Sequence, residues 1–324
     1  ALGCGSIIWL AEGVYLPGNS TTDTYRVPDN VSIYGGFEGS EVDLSERNWI
    51  EHETILSGYI DEDIFGNDVQ TETLVMMGDH TLLDGVTVQA AEIQGVVGQD
   101  ASFIIRNCIL EDNDQIGVYP VNGDLTVQWC EIKNNGFQGI YHVSDGDSAV
   151  SVTHSKIYGN LKDGIHAEGS NIQLSNSMIY QNGYSGGIGG IYNGIRLVDI
   201  SPSSRLWNDT IVANRNAGIG VVGGQPPLLL NCIIWGNINN QLAGFNADSA
   251  AINSCIQDCN DVNGNINLNP AFAYDQLNVN HTNFHLAYDS PCVNAGSLIT
   301  DANEFDIDGQ TRVYGVCVDI GADE

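Results

Sequence analysis

Residue types that can do chemistry recur at matched places in a repeating phrase. Tyr141, His166 and Arg196 each stand two residues after a glycine, in Gly139-Ile140, Gly164-Ile165 and Gly194-Ile195. Glu168 follows His166 by two further residues. If these phrases stack as strands, the four side chains share one outward face, because alternate strand residues point to the same side. A Tyr/His/Arg set supplies a base, an acid and a charge to neutralise a carboxylate, the needs of β-elimination on a uronate polymer. An ordinary solvated face reads the same way and is the bland alternative. His142 falls on an inward position and is expected as a buried, hydrogen-bonded histidine.

Other groups offer other chemistry. A second outward column, Glu111, Lys133, Tyr158, Tyr180, Val212 and Trp235, holds three aromatics. Tyr158 and Tyr180 fall on neighbouring repeats with Trp235 two further on, and flat rings on a rigid face are a platform for sugar stacking. Hydrolysis needs two carboxylates across a cleft. Asp112, Asp114, Asp145, Asp147, Asp163 and Glu168 all sit near turns, but among 41 acids a pair is cheap evidence. Asp301, Asn303, Asp306 and Asp308 place oxygen atoms at spacings vaguely like a weak calcium loop, although Arg312 replaces the bidentate glutamate such a loop requires.

The elements that must position these groups follow from an internal repeat. Anchors Val88, Leu110, Ile132, Ile157, Ile179, Ile211, Ile234 and Ile256 are spaced 22, 22, 25, 22, 32, 23 and 22 residues apart. Three residues past the central anchors stand Asn113, Asn135, Asn160, Asn182, Asn214 and Asn237. Seven past come Gly117, Gly139, Gly164 and Gly218, and in the long repeat Gly186 or Gly194 can fill the slot. Short alternating runs such as Leu125-Thr126-Val127 lie between. A repeat of about 22 residues with three short strands, an Asn turn and a Gly turn predicts one coil of an all-β, parallel β-helix, or β-solenoid. Residues 1–82 read as a cap and first coils, 83–259 as the central coils and 260–324 as a closing segment.

Composition narrows the partners. Ten Lys+Arg against 41 Asp+Glu give a net charge of −31, which excludes nucleic acid as a partner. No apolar run is long enough for a membrane span. The opening Ala1-Leu2-Gly3-Cys4 carries no export signal and is expected to be an excerpt of a processed precursor. Cys108 and Cys130 share an inward column, and Cys255–Cys259 and Cys292–Cys317 are candidate local disulfides, although pairing does not follow from sequence.

On these phrases the chain resembles the right-handed parallel β-helix proteins, the superfamily of pectate lyases and many bacterial surface proteins. Trp9-Leu10-Ala11-Glu12-Gly13-Val14-Tyr15 and Val31-Ser32-Ile33-Tyr34-Gly35-Gly36-Phe37 look like the start of polymorphic-outer-membrane-protein-like surface β-helices. Ser290-Pro291-Cys292-Val293-Asn294-Ala295-Gly296 and Val318-Asp319-Ile320-Gly321-Ala322-Asp323-Glu324 resemble their endings. The resemblance implies extracellular or cell-surface display and little about chemistry. The Asp-Asp and Gly-His-Gly phrases of polygalacturonases and the Arg-x-Pro-x-x-Arg of pectate lyases are missing. The expected function is therefore a structural or adhesive module that meets polysaccharide or neighbouring copies of itself. The alternative is a polysaccharide lyase or glycoside hydrolase working through His166, Tyr141, Glu168 and Arg196.

Overall fold

A computed structural model describes residues 5–62, 68–146, 148–184, 192–273, 283–298, 305–312 and 317–323. Nearly every described element is a short strand, and the strands stack into three parallel sheets. Sheet A runs from Ser6–Ala11 through Phe103–Arg106, Leu125–Gln128 and Ala149–Thr153 to Ala251–Ile252. Sheet B runs from Gly13–Tyr15 through Ile109–Glu111, Glu131–Lys133 and Lys156–Tyr158 to Cys255–Ile256. Sheet C runs from Tyr25–Val27 through Ile140–Val143 and Ile165–Glu168 to Asn240–Ala243. The chain visits A, B and C in turn, about ten times, which is the predicted β-solenoid. Coiling starts well before residue 83, since Ser6–Ala11 already pairs with Val31–Phe37.

Parallel stacking places like residue on like residue, so each inward position becomes an apolar column. Val88, Leu110, Ile132, Ile157, Ile179, Ile211 and Ile234 are all fully buried in one core that runs the length of the helix. A lone coil could not bury these side chains; its neighbours at about 4.8 Å do so.

The asparagine column forms a continuous amide ladder inside the turn between sheets B and C. The Nδ2 of Asn135 donates to Asn160 Oδ1 at 2.9 Å, and the backbone N–H of Asn135 donates to the same oxygen at 3.1 Å. Asn135 Nδ2 also donates to the Leu110 carbonyl at 3.2 Å. The pattern repeats at Asn113, Asn160, Asn182 and Asn214. Where the sequence lacks the next asparagine, Gln241 Oε1 accepts from Asn237 Nδ2 at 2.8 Å and closes the ladder.

The glycine column is explained by the same amides. A Cβ at Gly139 would lie 2.8 Å from Asn160 Nδ2, and one at Gly164 the same distance from Asn182 Nδ2. Gly194, whose Cβ would come within 2.6 Å of Asn214 Nδ2, fills the slot of the long repeat. A second column, Asn107, Trp129, His154, Asn176, Asn208, Asn231 and Asn253, turns the chain from sheet A into sheet B with φ between 46° and 56°. Asparagine tolerates that left-handed conformation better than most residues.

Removing one rung tests the ladder. Asn160→Ala should lower stability in urea unfolding by about 3 kcal/mol, because the buried amides of Asn135 lose their acceptor. Asn239→Ala, at an exposed turn, should cost less than about 0.5 kcal/mol.

Candidate active site on sheet C

Sheet C brings the four expected residues together. Tyr141, His166 and Arg196 are direct register partners, as are Val143, Glu168 and Val198. Ile140, Ile165 and Ile195, the preceding residue in each case, are fully buried, which turns the three polar side chains outward. Tyr119 precedes them and stacks on Tyr141 with ring centroids 5.3 Å apart, and Tyr141 meets His166 at 4.9 Å. Ile188, a rival for the Arg196 position, lies outside the described residues.

His166 sits between two carboxylates. Its Nδ1 is 3.6 Å from Asp163 Oδ2 and its Nε2 is 3.0 Å from Glu168 Oε1. The side chain is 13% exposed. Burial, aided by Arg196, pushes the imidazole below its usual range against the pull of Glu168. It is therefore a neutral base at ordinary pH. Tyr141 Oη donates to Glu168 Oε1 at 3.3 Å. Burial, then the Glu168 charge, raises the tyrosine and keeps its proton in place. Asp163 is buried, and its Oδ1 accepts the Asn193 backbone N–H at 2.6 Å. Desolvation lifts its carboxyl to about 6.

The structure adds residues that were not read from the sequence. Two positions before each glycine lies another outward column, which includes Phe137, Lys162 and Tyr192. The Lys162 ammonium sits 3.3 Å from the Phe137 ring centroid and 5.8 Å from that of Tyr192. Arg215 lies over Tyr184 at 5.5 Å. Lys162, Arg196 and Arg215, three of the chain's ten cations, thus fall on successive coils around one turn. Column-by-column reading at this position would have found Lys162; nothing in the repeat marks Arg215. His142, as expected, is buried and bonded, to Ser170 Oγ and to the Gly123 carbonyl.

The aromatic column on sheet B has a different fate. Tyr158 and Tyr180 are in register and stack at 4.7 Å and 6°, as their spacing predicted. However, Phe284 packs edge-on against Tyr180 at 5.0 Å, and Tyr180 is only 6% exposed. Residues of the closing segment, including Ile307 and Ile320, cover this part of the sheet, with Trp235 packed at the margin. The closing segment thus covers Tyr180 of the expected sugar platform, while Tyr158 and Trp235 pack against it partly buried. That segment runs back along the solenoid. Ser297 N–H donates to Asn231 Oδ1 at 2.9 Å, and the Phe305 carbonyl lies 3.1 Å from His154 Nε2.

The expected calcium ligands can be followed only at Asp306 and Asp308. Asp301 and Asn303 lie outside the described residues. Asp306 Oδ1 accepts the backbone N–H groups of Asp308 and Gln310 at 3.0 and 2.7 Å, so it organises the turn. Asp308 instead approaches Lys156 Nζ at 3.6 Å and His285 Nδ1 at 3.5 Å. Neither local disulfide forms: Cys255, Cys259, Cys292 and Cys317 are all free thiols, as are Cys108 and Cys130.

Comparison with known proteins agrees with the architecture. A family described as "right handed beta helix region" matches residues 6–147. The crystal structure of pectate lyase Pel9A aligns with a TM-score of 0.65 at 15% identity, covering 100% of this chain and 89% of that one. The periplasmic alginate epimerase AlgG aligns more loosely, with a TM-score of 0.43 at 13% identity over 72% of this chain and 66% of that one. The Azotobacter vinelandii mannuronan C-5 epimerase AlgE4 A-module gives 0.38 at 14% identity, covering 74% and 87%. No curated protein matches the sequence. The chain folds as a right-handed parallel β-helix. Among the described residues no helix is long and apolar enough to cross a membrane.

Asp163 gives the site a pH signature. Its folded value lies above the ordinary 3.8, so the stability it lends is complete below that pH and is lost as pH rises through about 6. Asp163→Asn keeps the acceptor for Asn193 and removes this loss. Thermal unfolding across pH should show the variant gaining on the wild type by roughly 3 kcal/mol between about pH 4 and 7.

Proposed function

We propose that this β-helix is a polysaccharide lyase acting on a uronate polymer at the sheet C patch. The observation that carries the reading is His166, an imidazole held between Asp163 and Glu168 and set in register with Tyr141 and Arg196. The Arg196 guanidinium pairs with the substrate carboxylate and acidifies the adjacent C–H. Neutral His166 takes that proton. The electron pair forms a C=C bond as the glycosidic C–O bond breaks, and the Tyr141 hydroxyl protonates the departing oxygen. Glu168 positions the tyrosine. Lys162 and Arg215 extend the cationic strip along the helix axis, which offsets the overall negative charge where an anionic chain would lie. We assign it an extracellular or cell-surface location.

A second reading is a non-catalytic surface module that binds polysaccharide or neighbouring copies of itself. The small exposure of His166, 13%, favours it. Incubation with a panel of uronate polymers, followed by ultraviolet detection of unsaturated ends, separates the two. Turnover should appear and fall by about 10³-fold in His166→Ala, within the range for loss of a general base. Turnover that survives the substitution, or binding of polymer with no unsaturated ends formed, would displace the lyase reading.

A further inference from the structure

A cleft of about 240 Å³ lies on the opposite side of the solenoid, where the turn from sheet A meets the uncovered early strands of sheet B. Trp49 and Trp129 line it, both more than a third exposed, together with Glu53, Glu131, Thr87 and Asn107. We infer that this cleft is a glycan-binding site that sandwiches one pyranose unit of a neutral saccharide between the two indoles.

The geometry comes from the left-handed turn column. Gly85, Asn107 and Trp129 occupy it on three successive coils, joined by the bonds Gly85 N–H to Arg106 O and Asn107 N–H to Gln128 O, both at 3.0 Å. Trp49 belongs to the loop after Val31–Phe37 and lies across Gly85, where an added Cβ would come within 3.1 Å of it. Trp129 is therefore two rungs from Gly85, against which Trp49 packs, about 10 Å along the axis, and three from the coil to which Trp49 belongs. The short Asn107 between them leaves a gap. A ring held between two aromatic faces needs roughly 7–8 Å, twice the usual carbon contact distance. One pyranose fits.

Both walls are braced from behind. The His154 ring stacks on Trp129 at 4.1 Å and 15°, and His154 is itself tied to the Phe305 carbonyl at 3.1 Å. The Arg47 guanidinium lies 4.8 Å from the Trp49 ring centroid and is fixed by a 2.7 Å ion pair to buried Asp84. Stacking on rings already held costs little ordering entropy.

The polar lining selects the class of sugar. Glu53 Oε1 accepts from Thr87 Oγ1 at 3.1 Å, and Glu131 Oε2 accepts from Tyr158 Oη at 3.0 Å and from Lys133 Nζ at 3.1 Å. The carboxylates keep acceptor capacity for sugar hydroxyls. No Lys or Arg lines the cleft, and Lys133 is already paired with Glu131 and Glu111, so the cleft presents no cation to receive a uronate carboxylate. This site and the sheet C patch thus take different residues of a polysaccharide, and neither assignment depends on the other.

The test is calorimetric titration of the whole chain with neutral hexose, pentose and N-acetylhexosamine oligosaccharides and with oligouronates. Three variants are compared with the wild type: Trp129→Ala, Asn107→Trp and His166→Ala. Asn107→Trp fills the gap and keeps both indoles while removing the 2.8 Å bond from Asn107 Nδ2 to Asp84 Oδ1, and Trp129 shows that the column accepts this side chain at φ 56°. A neutral oligosaccharide should bind the wild type and His166→Ala equally, and bind Trp129→Ala and Asn107→Trp at least about tenfold more weakly. Absence of neutral-glycan binding to the wild type overturns the proposal. So does binding that Asn107→Trp leaves unchanged, or oligouronate binding that Asn107→Trp abolishes.

Discussion

The amide ladder between sheets B and C is the constraint on which the other features rest. Each asparagine side chain closes its own turn by bonding the anchor carbonyl of the preceding coil, and then hands an oxygen to that coil's asparagine. Every amide is buried, so a one-residue slip would leave several donors without partners, at about 1–3 kcal/mol apiece. The ladder thereby fixes the register of the central coils, from Asn113 to Gln241. Fixed register turns a sequence position into a column. It also dictates glycine four residues later, because a Cβ there would collide with the amide it faces.

From that register the candidate sites follow with little further specification. Tyr141, His166 and Arg196 need no loop to hold them; stacking alone sets them on one line about 4.8 Å apart. The 32-residue repeat that contains Arg196 keeps the line intact because its extra residues are inserted before Gly194, outside the register. The electrostatics follow too. Within one coil, Asp163, His166 and Glu168 lie close enough to perturb one another, and burial on the sheet makes those perturbations matter.

The coils and their outward faces were legible in the sequence because the contacts that make them recur every 22 to 32 residues. His142 inward and His166 outward followed from strand alternation alone. The closing segment was not legible. Its docking contacts, Phe284 on Tyr180 and Phe305 on His154, join residues 104 and 151 apart and occur once each, with no period to announce them. That is why exposed aromatics were expected at Tyr158 and Tyr180, where the fold supplies a cover. Trp49 escaped for a related reason, since it stands in a loop outside the repeat. Trp129 lay in plain view within the turn column, but its meaning depends on Trp49.

The most direct test of the central claim is a crystal structure of His166→Ala with a bound uronate oligosaccharide. The register argument predicts a sugar carboxylate within hydrogen-bonding distance of the Arg196 guanidinium, with the chain laid along the Tyr141–Arg196 column. An oligosaccharide seated elsewhere with Arg196 unengaged, or no occupancy at saturating ligand, would contradict it.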